Sequence, residues 1–240
     1  QMQRWERSKR VVAVVMRGQG ERAFCAGGDL RKLYDSMTAG HDSRYQYADQ
    51  FFAAEYQNNL DLHRFTKPLI AWGNGLVMGG GLGLFLGAAY RIGTPSLQLA
   101  WPEARIGLFP DVMASWYLSR LPQPLGWWMG VSGAALGLAD AHVAGLVNYR
   151  LPHEVCNSVI EDLRRLQWQE NRAMNHYQVR QCLAQAESEC PLTCAPMWPE
   201  ASPQVELWFK GNSSSDMTAV TAAPDSPVRD WLVQGLRHWQ

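Results

Sequence analysis

An excess of charge of either sign is missing from this 240-residue chain: 22 Lys and Arg stand against 22 Asp and Glu, so the formal net charge is zero. That balance argues against a dedicated nucleic-acid binder. Cysteines are few, five at 25, 156, 182, 190 and 194, and Cys190 and Cys194, with three residues between them, have no His or second Cys pair close by to complete a zinc site. With no signal-peptide pattern at the start, they suit a reducing, cytoplasmic setting. Long apolar runs are lacking too. The best stretch, Gly75 to Gly93, is interrupted by Arg91 and many glycines, which makes it a poor membrane span. The common nucleotide motifs are absent as well. No G-x-x-x-x-G-K-[ST] occurs, and from Gly81 the sixth residue is Leu86 where G-x-G-x-x-G needs Gly. No G-x-S-x-G occurs, which removes the serine-hydrolase elbow.

What the chain has is an ordinary apolar content, 47%, and 11 Trp, enough for broad aromatic packing surfaces. "RVVAVVMRG" (10–18) reads as a buried strand, and "KPLIAWGNG" (67–75) as a second, begun after Pro68 and ended by Gly-Asn-Gly. "QGERAFCAGGD" is a loop, after which Asp29 is placed to cap a helix over "LRKLYDSM" (30–37). Residues 43–64 read as a helix. "MGGGLGLFLGAAY" (78–90) is a loop entering a Gly-rich helix, and "YRIGTPSLQLAW" (90–101) is strand material around a turn. Strand and helix alternate to about residue 150, the pattern of an α/β core. Residues 151–240 read as mostly helical, with a capped helix over 157–167 and a flexible, Ser/Thr/Ala/Pro-rich segment at 211–227. No internal repeat is visible.

Two Gly-rich loops each follow a strand: "FCAGGD" (24–29) and "MGGGLG" (78–83). Glycines permit tight turns and close helix–strand packing. They also let backbone N–H groups approach a ligand, and ligands collect at strand ends in α/β folds. Two N–H groups converging on one oxygen form an oxyanion hole, with the dipole of a helix over 80–90 adding positive potential. Further on, "AWPEARIGLFPDV" (100–112) sets Glu103 and Asp111 among apolar residues. Burying a carboxylate is costly unless it is paired or used. Pro110 forbids one continuous helix, so a turn through Gly107 would bring the two acids to one pocket, where the Glu103 pKa should rise.

"RAFCAGGDLRKL", "KPLIAWGNGLVMGGGLGL" and "PEARIGLFPDV" together resemble the crotonase (enoyl-CoA hydratase/isomerase) superfamily, and the third is most similar to its 3-hydroxyisobutyryl-CoA hydrolase branch. The resemblance covers roughly residues 10–150. It implies a β-β-α spiral core over residues 1–150, with the family's N-terminal part missing, and a helical region over 151–240. It implies a CoA-thioester substrate, with CoA part of the substrate and no separate cofactor, and an oxyanion held by the N–H groups of Gly28 and Gly80. It implies Glu103 and Asp111 as catalytic and substrate-binding residues, Glu55 of "AAEYQ" as a substrate contact, and Arg31 as a basic residue near the CoA nucleotide. A hydrolase of this branch belongs to valine catabolism. The resemblance leaves room for a homo-oligomer.

Departures from the family pattern discriminate among its activities. Hydratases of the superfamily resemble one another in using two Glu, and the first of these positions is here Gly83, which has no side chain to act as acid or base. Hydration by a Glu pair is therefore disfavoured. Thioester hydrolysis is the favoured reading, with Glu103 attacking directly or through a water and Asp111 binding a 3-hydroxyl. A hydratase or isomerase using Glu103 alone and a non-catalytic acyl-CoA-binding scaffold are the alternatives. Where hydrolase relatives have a Gly-rich stretch after "FPDV", this chain has "MASWYLSRL" (113–121), which should narrow the acyl pocket. Cys25 and His63 read as structural residues.

Overall fold

The computed structural model describes residues 1–40, 43–210 and 226–236. Its core is a repeated β-β-α unit. The first contains β1 (Val14–Arg17), β2 (Ala23–Cys25), α2 (Leu30–Thr38) and α3 (Gln46–His63), after a short α1 (Met2–Arg7). Next come β3 (Leu69–Gly73), β4 (Leu76–Met78) and α4 (Gly80–Leu86). Then follow β5 (Tyr90–Gly93), β6 (Gln98–Ala100) and a single 3₁₀ turn, Glu103–Ile106. Each pass sends one strand to each of two parallel sheets. One has the order β1-β3-β5-β7, closed by β7 (Tyr149–Arg150), and the other β2-β4-β6. Register follows the chain, with Val14 opposite Leu69, Ile70 opposite Tyr90 and Leu76 opposite Gln98. This is the α/β spiral that the resemblance implied.

Strand β3 shows why the fold closes here. All five residues of Leu69–Gly73 are buried, as expected for a parallel strand covered on both faces. Successive side chains point to opposite sides. Leu69 and Ala71 join a core with Leu82, Phe85, Trp101 and Trp128. Ile70 and Trp72 join a second with Ile92, Val159, Leu163, Val179 and Leu183. Each large side chain so buried contributes roughly 1.5–3 kcal/mol.

The second core is covered by α8 (Cys156–Arg165) and α9 (Arg172–Glu189). The first is extended by α5 (Ala114–Leu118), α6 (Leu125–Ser132), α7 (Leu138–Val143), α10 (Trp198–Lys210) and α11 (Pro227–Leu236). In it, the indoles of Trp128 and Trp198 both meet that of Trp231.

Three local expectations need correction. The run 10–18 is not a fully buried strand: β1 begins at Val14 and its residues are half-buried or exposed, because it lies at the edge of its sheet. The loop after residue 18 contains β2, three residues paired with β4. The Gly-rich helix ends at Leu86, not 90. Most of the 211–227 segment lies outside the described residues, and Pro227 opens α11.

Candidate active site

The two Gly-rich loops meet where α4 begins. Gly27 adopts φ 101°, a left-handed conformation that favours glycine. A Cβ placed on it would lie 3.6 Å from the Gly80 nitrogen, so the loops touch backbone to backbone. Close approach is enforced next door. A Cβ on Gly81 would sit 2.1 Å from the Cys25 carbonyl oxygen, and one on Gly28 2.4 Å from Cζ of Phe51 on α3. Among the described residues the N–H groups of Gly28 and Gly80 meet no backbone acceptor. With only seven residues, α4 supplies the Gly80 N–H rather than a long-helix dipole, and the Gly28 N–H comes from the loop before α2.

Three carboxylates surround this junction. Glu103 opens the 3₁₀ turn after β6 and is only 6% exposed. Its Oε1 lies 2.9 Å from where a Cβ on Gly79 would be, and its Oε2 is buried without a partner among the described residues. Glu55 of α3 lies over Gly80, its Oε1 2.1 Å from that residue's Cβ position. Asp111 accepts a 2.7 Å hydrogen bond from the Tyr56 hydroxyl, also on α3. The turn between the two acids runs through Gly107 at φ 77°, as the sequence suggested.

Electrostatics follow from this crowding. Burial, opposed in part by a backbone hydrogen bond and reinforced by the charges of Asp111 and Glu55, pushes Glu103 up from 4.5 to about 7. Glu55 is raised by burial and by Asp111. The Tyr56 phenol is pushed above its usual value by burial, its bond to Asp111 and the neighbouring acids. Glu103 is thus a carboxyl poised between acid and base near neutral pH. Among the described residues, no group of three or more His, Cys, Asp and Glu could hold a metal ion, and no helix is long and apolar enough to cross a membrane.

Beside the acids lies a cavity of about 260 Å³ lined by Tyr56, Asn59, Leu60, His63, Val112 and Met113. Larger concavities lie elsewhere, between α8 and α9 and beside α1, without the Gly loops or the three acids. Val112 and Met113 hold left-handed φ values of 42° and 71°. For non-glycine residues this costs roughly 1–2 kcal/mol each. The segment that follows "FPD" therefore follows a glycine-like path with side chains attached, and those side chains take up pocket space. Gly83 is sealed for the same reason: a Cβ there would lie 2.8 Å from Val112 Cβ and 3.1 Å from both amide atoms of Asn59.

Of the residues singled out from sequence, Gly28, Gly80, Glu55, Glu103 and Asp111 are brought to this junction. Arg31 is exposed on the first turn of α2 and makes no hydrogen bond or ion pair among the described residues. The cap at Asp29 is present, its side chain accepting from the Lys32 N–H at 3.0 Å. The sequence reading did not include the Tyr56–Asp111 bond or the buried amide of Asn59. For Asn59 the available signal was its helical spacing, four residues after Glu55 and three after Tyr56.

A model of the family described as enoyl-CoA hydratase/isomerase matches residues 1–238. The chain is 36% identical over 159 residues to the mitochondrial 3-hydroxyisobutyryl-CoA hydrolase of Xenopus tropicalis, covering 66% of this chain and 40% of that protein. It is 39% identical over 147 residues to a small ribosomal subunit protein of Neurospora crassa, covering 61% of this chain and 29% of that one. The chain thus spans well under half the length of these curated relatives. Among solved structures, it is similar to a carnitinyl-CoA dehydratase from Mycobacterium thermoresistibile, with a TM-score of 0.75 and 30% identity over 97% of this chain and 64% of that one. An enoyl-CoA hydratase from Rhodobacter sphaeroides gives a TM-score of 0.76 and 29% identity over 99% of this chain and 64% of that one.

Proposed function

This chain belongs to the enoyl-CoA hydratase/isomerase family, and from that premise we propose that it hydrolyses an acyl-CoA thioester whose acyl group carries a 3-hydroxyl, such as 3-hydroxyisobutyryl-CoA. One observation carries the reading: a buried carboxyl, Glu103, is held near neutrality beside the junction of two Gly loops, while the place of a second acid at Gly83 is filled by Val112 and Asn59. Adding water across a double bond with a pair of acids needs the second group. Hydrolysis needs one base and a stabilised oxyanion.

In this mechanism the thioester oxygen sits between the N–H groups of Gly28 and Gly80. Glu103 takes a proton from a water whose oxygen attacks the carbonyl carbon. The new C–O bond forms and the oxygen becomes an oxyanion. When the carbonyl re-forms, the C–S bond breaks and the CoA thiolate leaves, receiving the proton from Glu103. Asp111, held by Tyr56, binds the 3-hydroxyl. Glu55, which lies over Gly80, contacts the substrate. The site acts on CoA as part of the substrate, with no separate cofactor, and a cytoplasmic location fits the cysteine usage.

Binding of acyl-CoA without turnover is the second reading. It is favoured by the similarity to a small ribosomal subunit protein and by the Val112–Met113 side chains that narrow the cavity. The test is free-thiol release from (S)-3-hydroxyisobutyryl-CoA, with acetyl-CoA and crotonyl-CoA alongside. Release from the hydroxyacyl thioester that disappears in Glu103→Gln supports the hydrolase. Absence of release with retained acyl-CoA binding overturns it, and loss of crotonyl-CoA absorbance would then mark a hydratase.

A further inference from the structure

We infer that Asn59 is a specificity-determining residue whose amide reads a hydroxyl on the acyl chain; the inference rests on the thioester reading and adds a side chain to it. Asn59 lies on α3, four residues after Glu55 and three after Tyr56, so one face of that helix carries all three groups toward the junction. It lines the cavity beside the acids. It is 3% exposed, and among the described residues neither its Oδ1 nor its Nδ2 has a hydrogen-bond partner.

A buried amide with both atoms unpaired is costly to a fold and is kept where something else supplies the missing bonds. The remaining walls cannot do so. Leu60, Val112 and Met113 are apolar, the Tyr56 hydroxyl is already given to Asp111, and the His63 ring packs against Trp116 and makes no hydrogen bond to Asn59. A hydroxyl both donates and accepts, which matches an amide with a free N–H and a free C=O. A saturated, unsubstituted acyl chain offers neither. The amide also lies against Gly83, 3.1 Å from the Cβ position there, so a larger residue at 83 would displace it. The missing side chain at 83 therefore makes room for a polar reader of the substrate, in addition to removing an acid. A site built around buried polar groups rejects ligands that leave those groups unpaired.

The test compares a 3-hydroxyacyl-CoA with the matched unsubstituted acyl-CoA in wild-type protein and in Asn59→Leu, which keeps the branched outline and heavy-atom count of the side chain while removing both polar atoms. The ratio of kcat/KM values, hydroxylated over plain, should fall roughly five- to tenfold in the variant. The same ratio of Kd values is measured in a Glu103→Gln background, where turnover is removed. Thermal stability adds a readout that a structural amide would not give: Asn59→Leu should melt at or above the wild-type temperature, since two unpaired buried groups are gone. An unchanged substrate ratio, or a large loss of stability, overturns the inference while leaving the hydrolase reading intact. If wild-type protein releases no thiol from either ester, the hydrolase reading falls, and the Kd ratio alone decides for or against Asn59.

Discussion

Glutamate 103 carries a stability cost that can be measured apart from any catalysis. Its native pKa stands at about 7 against 4.5 for the unperturbed group. At about 1.36 kcal/mol per pKa unit, that is on the order of 3 kcal/mol. The sign follows from proton binding. Between pH 4.5 and 7 the native state holds a proton that the unfolded chain has released, so stability falls as pH rises through this window. Below pH 4.5 both states are protonated and the penalty vanishes. Above about pH 7 it is complete. Glu103→Gln removes the ionisable group while keeping its shape. The variant should match wild type at pH 4.5 and exceed it by up to about 3 kcal/mol at pH 8. For a chain of this size that corresponds to roughly 6–12 °C in melting temperature at the higher pH. Urea melts at pH 4.5 and pH 8 supply the difference. A stability gain that is the same at both pH values would refute the reasoning, because it would show that the charge on Glu103 is not what costs energy. A destabilised variant at pH 8 would show that the carboxylate makes favourable native bonds, contrary to its unpartnered Oε2.

Other perturbations follow from the same geometry. Asp111→Asn should move the pH midpoint of activity downward, since a negative charge that raises Glu103 is gone; a pH–rate profile reads the shift. Gly80→Ala should lower kcat by about 10²–10³ with a smaller change in KM, because its Cβ would strike Glu55 Oε1 and displace the oxyanion donor. Gly83→Glu should lower stability by at least about 1–3 kcal/mol and create no hydratase activity, since Val112 and Asn59 occupy the space. Met113→Gly should shift acyl preference toward bulkier chains, with relief of the left-handed φ roughly balancing the entropy cost of glycine, so the melting temperature should move by only a few degrees.

Elements with strong local signals were legible in the sequence. Strand β3 is a continuous apolar run with a Gly-Asn-Gly stop, and α2 begins at a capping Asp. The segments β2, β4 and β6 were harder to see because they are three residues each, too short for a periodicity to develop. The β-β-α repeat is invisible in the sequence for a related reason. It is a repeat of backbone path, in which the parallel register needs only a buried strand in each pass, whatever its residues.

The site divides in the same way. Residue types and spacing along the chain were enough to single out Glu103 and Asp111 and to anticipate that Glu103 would be raised, whereas Gly28, Gly80 and Glu55 were implied by the family resemblance. The cause differs from the apolar run first suggested, because Ile106 is exposed and Phe109 is 70% exposed. Burial of Glu103 comes from its position after β6, and Asp111 and Glu55 add like charge from elements distant in sequence. Chain order thus determined which groups and glycine turns were available, since short-range sterics act between neighbours in sequence. Tertiary structure alone decided the bond between Tyr56 and Asp111, 55 residues apart, the left-handed path at Val112 and Met113, and the burial of Asn59 against Gly83. Each of these depends on packing between elements, which local propensity does not encode.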